Sequence, residues 1–138
     1  MIKIYFATIK DLENICALEK EWKMEKISPN MLLTTKKVLQ KIINDNNVFV
    51  AKDNNKIIGY LLFKLHKTNC NLDAIYIQKG YRKKSVGTKL MKHFLSLGKI
   101  KKCKTLFLHA DSIKENKLIS FYNKFGFKKI AIVLKKQQ

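Results

Sequence analysis

Residues 78–91 read QKGYRKKSVGTKLM and follow the apolar run LDAIYI at 72–77. Lys79, Arg82, Lys83, Lys84 and Lys89 crowd this stretch, and Arg82 is the only arginine among 29 cationic residues. The pattern predicts a strand, a basic turn and then a helix. The first amides of a helix lack partners within it, and its positive dipole end favours negative charge. With cations alongside, Arg82, Lys83, Lys84, Ser85, Val86, Gly87 and Thr88 read as an anion site of the kind that takes phosphate. Arg82 offers a phosphate two parallel hydrogen bonds, which lysine cannot. Gly87 has no Cβ to keep a ligand from the backbone. The Ser85 hydroxyl is placed to cap the helix or reach a phosphate oxygen. Other phosphate loops are excluded by spacing. Gly80 and Gly87 are too far apart for a Walker loop, no G-x-G-x-x-G is present, and Arg82 breaks the RNA-binding octapeptide that Lys79-Gly80-Tyr81 begins.

The elements around this turn are legible from periodicity. Ile2–Ala7 alternates as a strand, and Thr8 with Asp11 forms a capping-box pattern ahead of a helix striped by Leu12, Ile15, Leu18 and Trp22. Ser28-Pro29 signals the start of a second helical region, ending at NDNN 44–47. VFVAKD (48–53) and KIIGYLLFKL (56–65) form a predicted hairpin across Asn54-Asn55, and LDAIYI is the fourth strand. A helix from Val86 is predicted to stop at Gly98. TLFLHA (105–110) reads as a strand, LISFYNKF (118–125) as a helix and FKKIAIVL (127–134) as a closing strand. The order is β-α-α-β-β-β-α-β-α-β. That is an α/β (α+β) chain, with a mixed, mostly antiparallel sheet flanked by helices, read as one domain over 1–138.

On these residues the chain resembles the GNAT superfamily of acyl-CoA-dependent N-acetyltransferases. YRKKSVGTKLM is similar to that family's R/Q-x-x-G-x-G/A loop, with Arg82, Ser85 and Gly87 at the key positions and serine standing where glycine is usual. FYNKFGFKK (121–129) resembles its later aromatic-Tyr signature, one strand further on. The resemblance implies acetyl-CoA as cosubstrate, no metal, and direct acetyl transfer to an amine. It implies that loop amides hold the pyrophosphate, that the pantetheine arm pairs with the backbone of Ile75, Tyr76 and Ile77, and that Tyr122 protonates the departing thiolate. The family's asparagine seven residues before that tyrosine falls on Glu115, so Asn116 becomes the candidate contact to the cofactor. Phe121, Phe125 and Phe127 read as core aromatics.

An attacking amine must be neutral, so its proton needs an acceptor. Asp73 on the fourth strand and His109 at the end of the fifth are the candidates. Asn71, near the position that the resemblance gives the base of some family members, cannot serve. Glu19, Glu21 and Glu25 lie in the helical region that the resemblance makes the acceptor's wall. The acceptor itself, a protein amine or a small molecule, is open, and dimers are common enough in the family to leave a homodimer open.

Composition bounds the alternatives. The 46% hydrophobic content suits a globular domain, and no window approaches the roughly 18–20 apolar residues of a membrane span. Cys16, Cys70 and Cys103 include no CxxC pair, which argues for a reducing, cytoplasmic setting rather than disulfides or zinc. The net charge of +19 keeps a nucleic-acid partner open as an alternative, although the lysines are dispersed from Lys3 to Lys136. An acyl-CoA-binding module without catalysis is a further alternative.

Overall fold

The computed structural model describes residues 1–28, 31–110 and 115–138. The alternating IKIYF forms strand β1 (Ile2–Phe6). The Asp11 carboxylate then accepts the Thr8 N–H at 2.8 Å, the acidic half of the capping box. It closes a short 3-10 turn that leads into helix α1 (Leu12–Met24). Helix α2 (Lys36–Asn44) starts at Thr35, whose Oγ1 accepts the Val38 N–H at 3.2 Å. The predicted start at Ser28-Pro29 is thus corrected: residues 31–35 carry no helix, and Ser28 accepts the indole N–H of Trp22 at 3.1 Å. Pro29 lies outside the described residues.

Strands β2 (Val48–Asp53) and β3 (Lys56–His66) meet at the expected Asn-Asn turn, where Asn54 takes φ 56°. Strand β4 (Asn69–Ile77) begins earlier than its apolar run, because Lys67 at φ 48° turns the chain and brings Asn69 opposite His66. Helix α3 (Val86–Ile100) runs through Gly98 rather than stopping there. Gly98 serves packing instead: a Cβ there would meet Leu106 at 3.2 Å. Strand β5 (Thr105–Leu108) and helix α4 (Glu115–Asn123) follow, and Gly126 at φ 90° ends the turn after α4.

The strands lie in the order β1-β2-β3-β4-β5, antiparallel except for β4 beside β5. Alternation divides the core between the sheet's two faces. Val48, Val50, Tyr60 and Tyr76 meet Leu12, Ile15 and Leu18 of α1 and Leu39 and Ile43 of α2. On the other face Phe49, Ala51, Phe63 and Leu72 meet Val86, Leu90, Met91 and Phe94 of α3 and Tyr122 of α4. The predicted closing strand does not form. Residues 127–138 carry no strand, and Ile130, Ile132, Val133 and Leu134 are 72–89% exposed. Strand propensity describes fit to a pleated surface, and a strand still requires a partner to pair with. In this structure β5 pairs with β4 alone.

Candidate active site at the fork of β4 and β5

Parallel pairing between β4 and β5 covers four rungs, from Asn69 opposite Thr105 to Leu72 opposite Leu108. Beyond Leu72, β4 continues to Ile77 with β3 on one side and, among the described residues, no strand on the other. Strand β5 ends with its last rung, so past Leu72 the edge of β4 is left open, and this opening is the fork. The two base candidates, Asp73 and His109, are each the first residue past the last rung, one on β4 and one just beyond the end of β5. Asp73 also sits at a β-bulge, since Leu62 faces Ala74 while Phe63 faces Leu72. Its residue is exposed, yet local desolvation pushes its carboxyl above the ordinary range, opposed by the charges of Lys64, His66 and His109.

Main-chain alternation decides what the open arm offers. The Gln78 N–H donates to Ile58 O at 2.8 Å, so the peptide groups of Gln78 and Tyr76 face β3. Those of Ile75 and Ile77 face the fork. The expected trio of pantetheine partners reduces to two on this geometry, because the Tyr76 backbone is already in the ladder.

The basic loop follows directly. After a 3-10 turn over Lys79–Tyr81, Lys83 takes φ 62° and Ser85 φ 64°, ψ 15°. Ser85 is the N-cap of α3, and the first helical bond is Lys89 N–H to Ser85 O at 3.0 Å. The amides of Val86, Gly87 and Thr88 precede it. A left-handed residue followed by a helical one turns successive N–H groups toward a common point, an anion-binding nest. Lys83, Lys84 and Ser85 are exposed, while the Val86 side chain is buried beside Leu90 and anchors the helix start. Ser85 makes no side-chain cap bond, contrary to one expectation. The absent Cβ of Gly87 would point at the Phe121 ring, 3.4 Å from Cζ, so its bareness lies toward α4.

Arg82 departs most from expectation. Its Nε donates to Ile77 O at 2.9 Å, and its Nη2 donates to both carboxylate oxygens of Glu25 at 2.8 Å. The guanidinium also lies 5.4 Å from the Tyr76 ring centroid. Tyr76 OH donates to Glu25 Oε1 at 2.7 Å, and Trp22 stacks on Tyr76 with centroids 5.4 Å apart. The family resemblance assigns Arg82 to phosphate; here its Nη2 is engaged by the carboxylate of α1's C-cap and its Nε by the Ile77 carbonyl. Desolvation raises the Glu25 carboxyl, but hydrogen bonds from Tyr76 and Arg82 and the charges of Arg82 and Lys79 overcome it and hold the group below the usual carboxylate range. This cluster was not foreseen. The only signal for it was a lone arginine in a lysine-rich chain that also carries Glu21 and Glu25.

Tyr122 is buried on α4, with Phe121 and Phe127 edge-on to its ring. Burial pushes its phenol up to about 12. It shares one apolar cluster with Leu72 at the fork and Val86 at the helix start, so a single core positions all three. Asn116 is exposed on the first turn of α4. Among the described residues no group of His, Cys, Asp or Glu is arranged to hold a metal. None of the described helices is long and apolar enough to cross a membrane.

The family model of the acetyltransferase (GNAT) domain matches residues 44–129, from the end of α2 to just past α4. The chain belongs to the GNAT acetyltransferase family. No curated protein matches it. Among solved structures, Ard1 from Thermoplasma volcanium aligns with a TM-score of 0.78 at 20% identity, over 94% of this chain and 84% of that one. The PaiA N-acetyltransferase of Thermoplasma acidophilum, in complex with coenzyme A, aligns at 0.76 and 22% identity, over 93% and 90%. Arabidopsis thaliana Naa50, in complex with the bisubstrate analogue CoA-Ac-MVNAL, aligns at 0.76 and 19% identity, over 94% and 85%. The GNAT fold thus spans nearly the whole chain, fork and loop included.

Proposed function

We propose that the protein is a single N-acetyltransferase domain that moves the acetyl group of acetyl-CoA to a primary amine by direct attack in a ternary complex. The observation that carries this reading is one juxtaposition: β4 offers open main-chain groups at Ile75 and the N–H of Ile77, whose carbonyl already accepts from Arg82, and the same strand leads into the unbonded amides of Val86, Gly87 and Thr88. A long ligand with amides along its arm and phosphates at its end matches both halves. The strand edge receives the arm as an added strand, and the helix start receives the phosphates with Lys83 and Lys84 alongside. The coenzyme A held by the PaiA relative and the CoA-peptide analogue held by Naa50 support the same ligand class.

The reaction then needs two proton movements. The amine nitrogen loses a proton to Asp73 or His109, directly or through water, and bonds to the thioester carbonyl carbon. As the tetrahedral intermediate collapses, the C–S bond breaks and the sulfur takes the Tyr122 phenolic proton. A phenol raised to about 12 remains protonated at neutral pH and is available to give it. Acceptor classes in keeping with the family are peptide α-amines, lysine side chains, polyamines and amino sugars.

Thermal shift with acetyl-CoA, followed by thiol release across a panel of those four amine classes, tests the reading. The expected result is a rise in Tm and thiol release with at least one class. A shift without release means an acyl-CoA-binding module. No shift, together with salt-sensitive retention of duplex DNA, means a polyanion-binding protein.

A further inference from the structure

We propose that Arg82 is a positioning residue that ties the acetyl-CoA loop to the amine-facing end of α1, so that filling the loop orders the place where the acceptor docks. The inference rests on the acetyltransferase reading.

Its basis is the division of labour within one side chain. The Nε edge of Arg82 bonds Ile77 O, which closes the turn between β4 and the loop. The Nη2 end grips both oxygens of Glu25, at the C-cap of α1. A lysine has one nitrogen at the end of a flexible stem and cannot hold both partners in a fixed plane. This accounts for an arginine here in a chain whose other 28 cationic residues, 29 less this one, are lysines.

The end of α1 depends on such fastenings. Lys26, immediately after its C-cap, turns left-handed at φ 54°, and the chain leaves the helix. What holds this end to the sheet is a set of side-chain contacts: Trp22 stacked on Tyr76, Tyr76 bonded to Glu25, Arg82 bonded to Glu25, and Gln78 near Glu21 at 3.3 Å. All three partners on the β4 side lie within 76–82, between the open arm of the fork and the start of the loop. A ligand in that arm and loop restrains those residues, and Arg82 carries the restraint to Glu25.

The chemistry of the docking place agrees. A protonated amine approaching a protein of net charge +19 is repelled almost everywhere. Glu21 and Glu25 place two carboxylates beside the end of β4. Arg82 neutralises much of Glu25, which leaves Glu21 as the stronger attraction for the cation and gives Glu25 a structural part.

Three variants, Arg82→Lys, Glu25→Gln and the double change, are compared with wild type. The readouts are acetyl-CoA affinity by calorimetry, acceptor KM and kcat with the best amine of the panel, and hydrogen exchange across 21–28 with and without acetyl-CoA. The expected wild-type result is acetyl-CoA-dependent protection of 21–28. In each variant that protection is lost and acceptor KM rises by about fivefold or more, the lower end of usual coupling. Acetyl-CoA affinity should change by less than about twofold, well under that coupling, and the double change should cost no more than either single one. If Arg82→Lys instead weakens acetyl-CoA binding more than tenfold while protection of 21–28 persists, Arg82 grips the phosphate and the proposal is overturned. Additive effects of the two single changes overturn it as well. Wild type that binds no acetyl-CoA removes the acetyltransferase reading itself, an outcome distinct from either of these.

Discussion

Desolvation pushes both Tyr122 and Asp73 up, and the same direction of shift bears differently on the part proposed for each. Tyr122 is buried among aromatic rings, where ionisation is unfavourable, and its phenol is pushed up to about 12. A group with that value stays protonated across the physiological range, so it introduces no alkaline limb of its own below that pH. Replacing Tyr122 with Phe keeps the ring and removes the hydroxyl that carries the proton. The expected result is a fall in kcat of about a hundredfold or more, in line with loss of a general acid, with acetyl-CoA affinity unchanged. Thiol release and calorimetry measure the two quantities, and an unchanged kcat would mean the thiolate leaves unaided. Asp73 must be ionised to accept a proton, and desolvation raises its pKa. As base it predicts activity that rises with pH through an apparent value above the ordinary ~3.9 of aspartate. Asp73→Asn should abolish that limb; a profile of wild-type shape passes the role to His109. These residues are open to nomination from sequence because the chemistry proposed for them is local: a tyrosine in a recognisable run, and a carboxylate and an imidazole near strand ends. Glu25 was not, because its bond to Arg82 spans 57 residues and no periodicity encodes that pairing.

Between residue and domain, the informative errors concern where elements start and stop. Gly98 was read as a helix stop, but the helix needs it as a gap for Leu106 of β5. The apolar run places the fourth strand at 72–77, yet pairing with β3 and β5 extends it back to Asn69. In both cases a tertiary partner overrode the local pattern. The loop shows the opposite: its sequence departs from the glycine-rich pattern, and the backbone keeps the glycine-like conformation regardless. Ser85 at φ 64° carries a strain of about 1 kcal/mol that glycine would not. Ser85→Gly should therefore raise stability by about 0.5 kcal/mol, the relief of strain being partly offset by the entropy of the freer unfolded chain. Denaturant titration checks the sign. Ser85→Val should do the reverse and weaken acetyl-CoA binding with it, since a β-branched residue resists the left-handed region that aims the amides. Equal stability in all three forms would mean the loop relaxes out of this conformation at little cost.

For the molecule as a whole, the open question is whether +19 acts as one field or as a few local charges. Charge and composition said how much lysine there is, and only the fold says where it stands relative to the loop. Lys83 and Lys84 are exposed within the loop, and Lys101 and Lys102 are exposed just past the far end of α3. That helix has 15 residues, which at 1.5 Å per residue separates the pairs by about 22 Å. The Debye length is about 8 Å at physiological ionic strength, so the far pair is screened by more than two lengths while the near pair acts at contact range. Replacing Lys83 and Lys84 with alanine should weaken acetyl-CoA binding and flatten its dependence on salt. Replacing Lys101 and Lys102 removes the same net charge and should leave both unchanged. Calorimetry at low and physiological salt distinguishes the outcomes. If both double variants lose affinity and salt slope equally, the cosubstrate responds to the net charge of the whole protein, and the loop holds it less specifically than its geometry indicates.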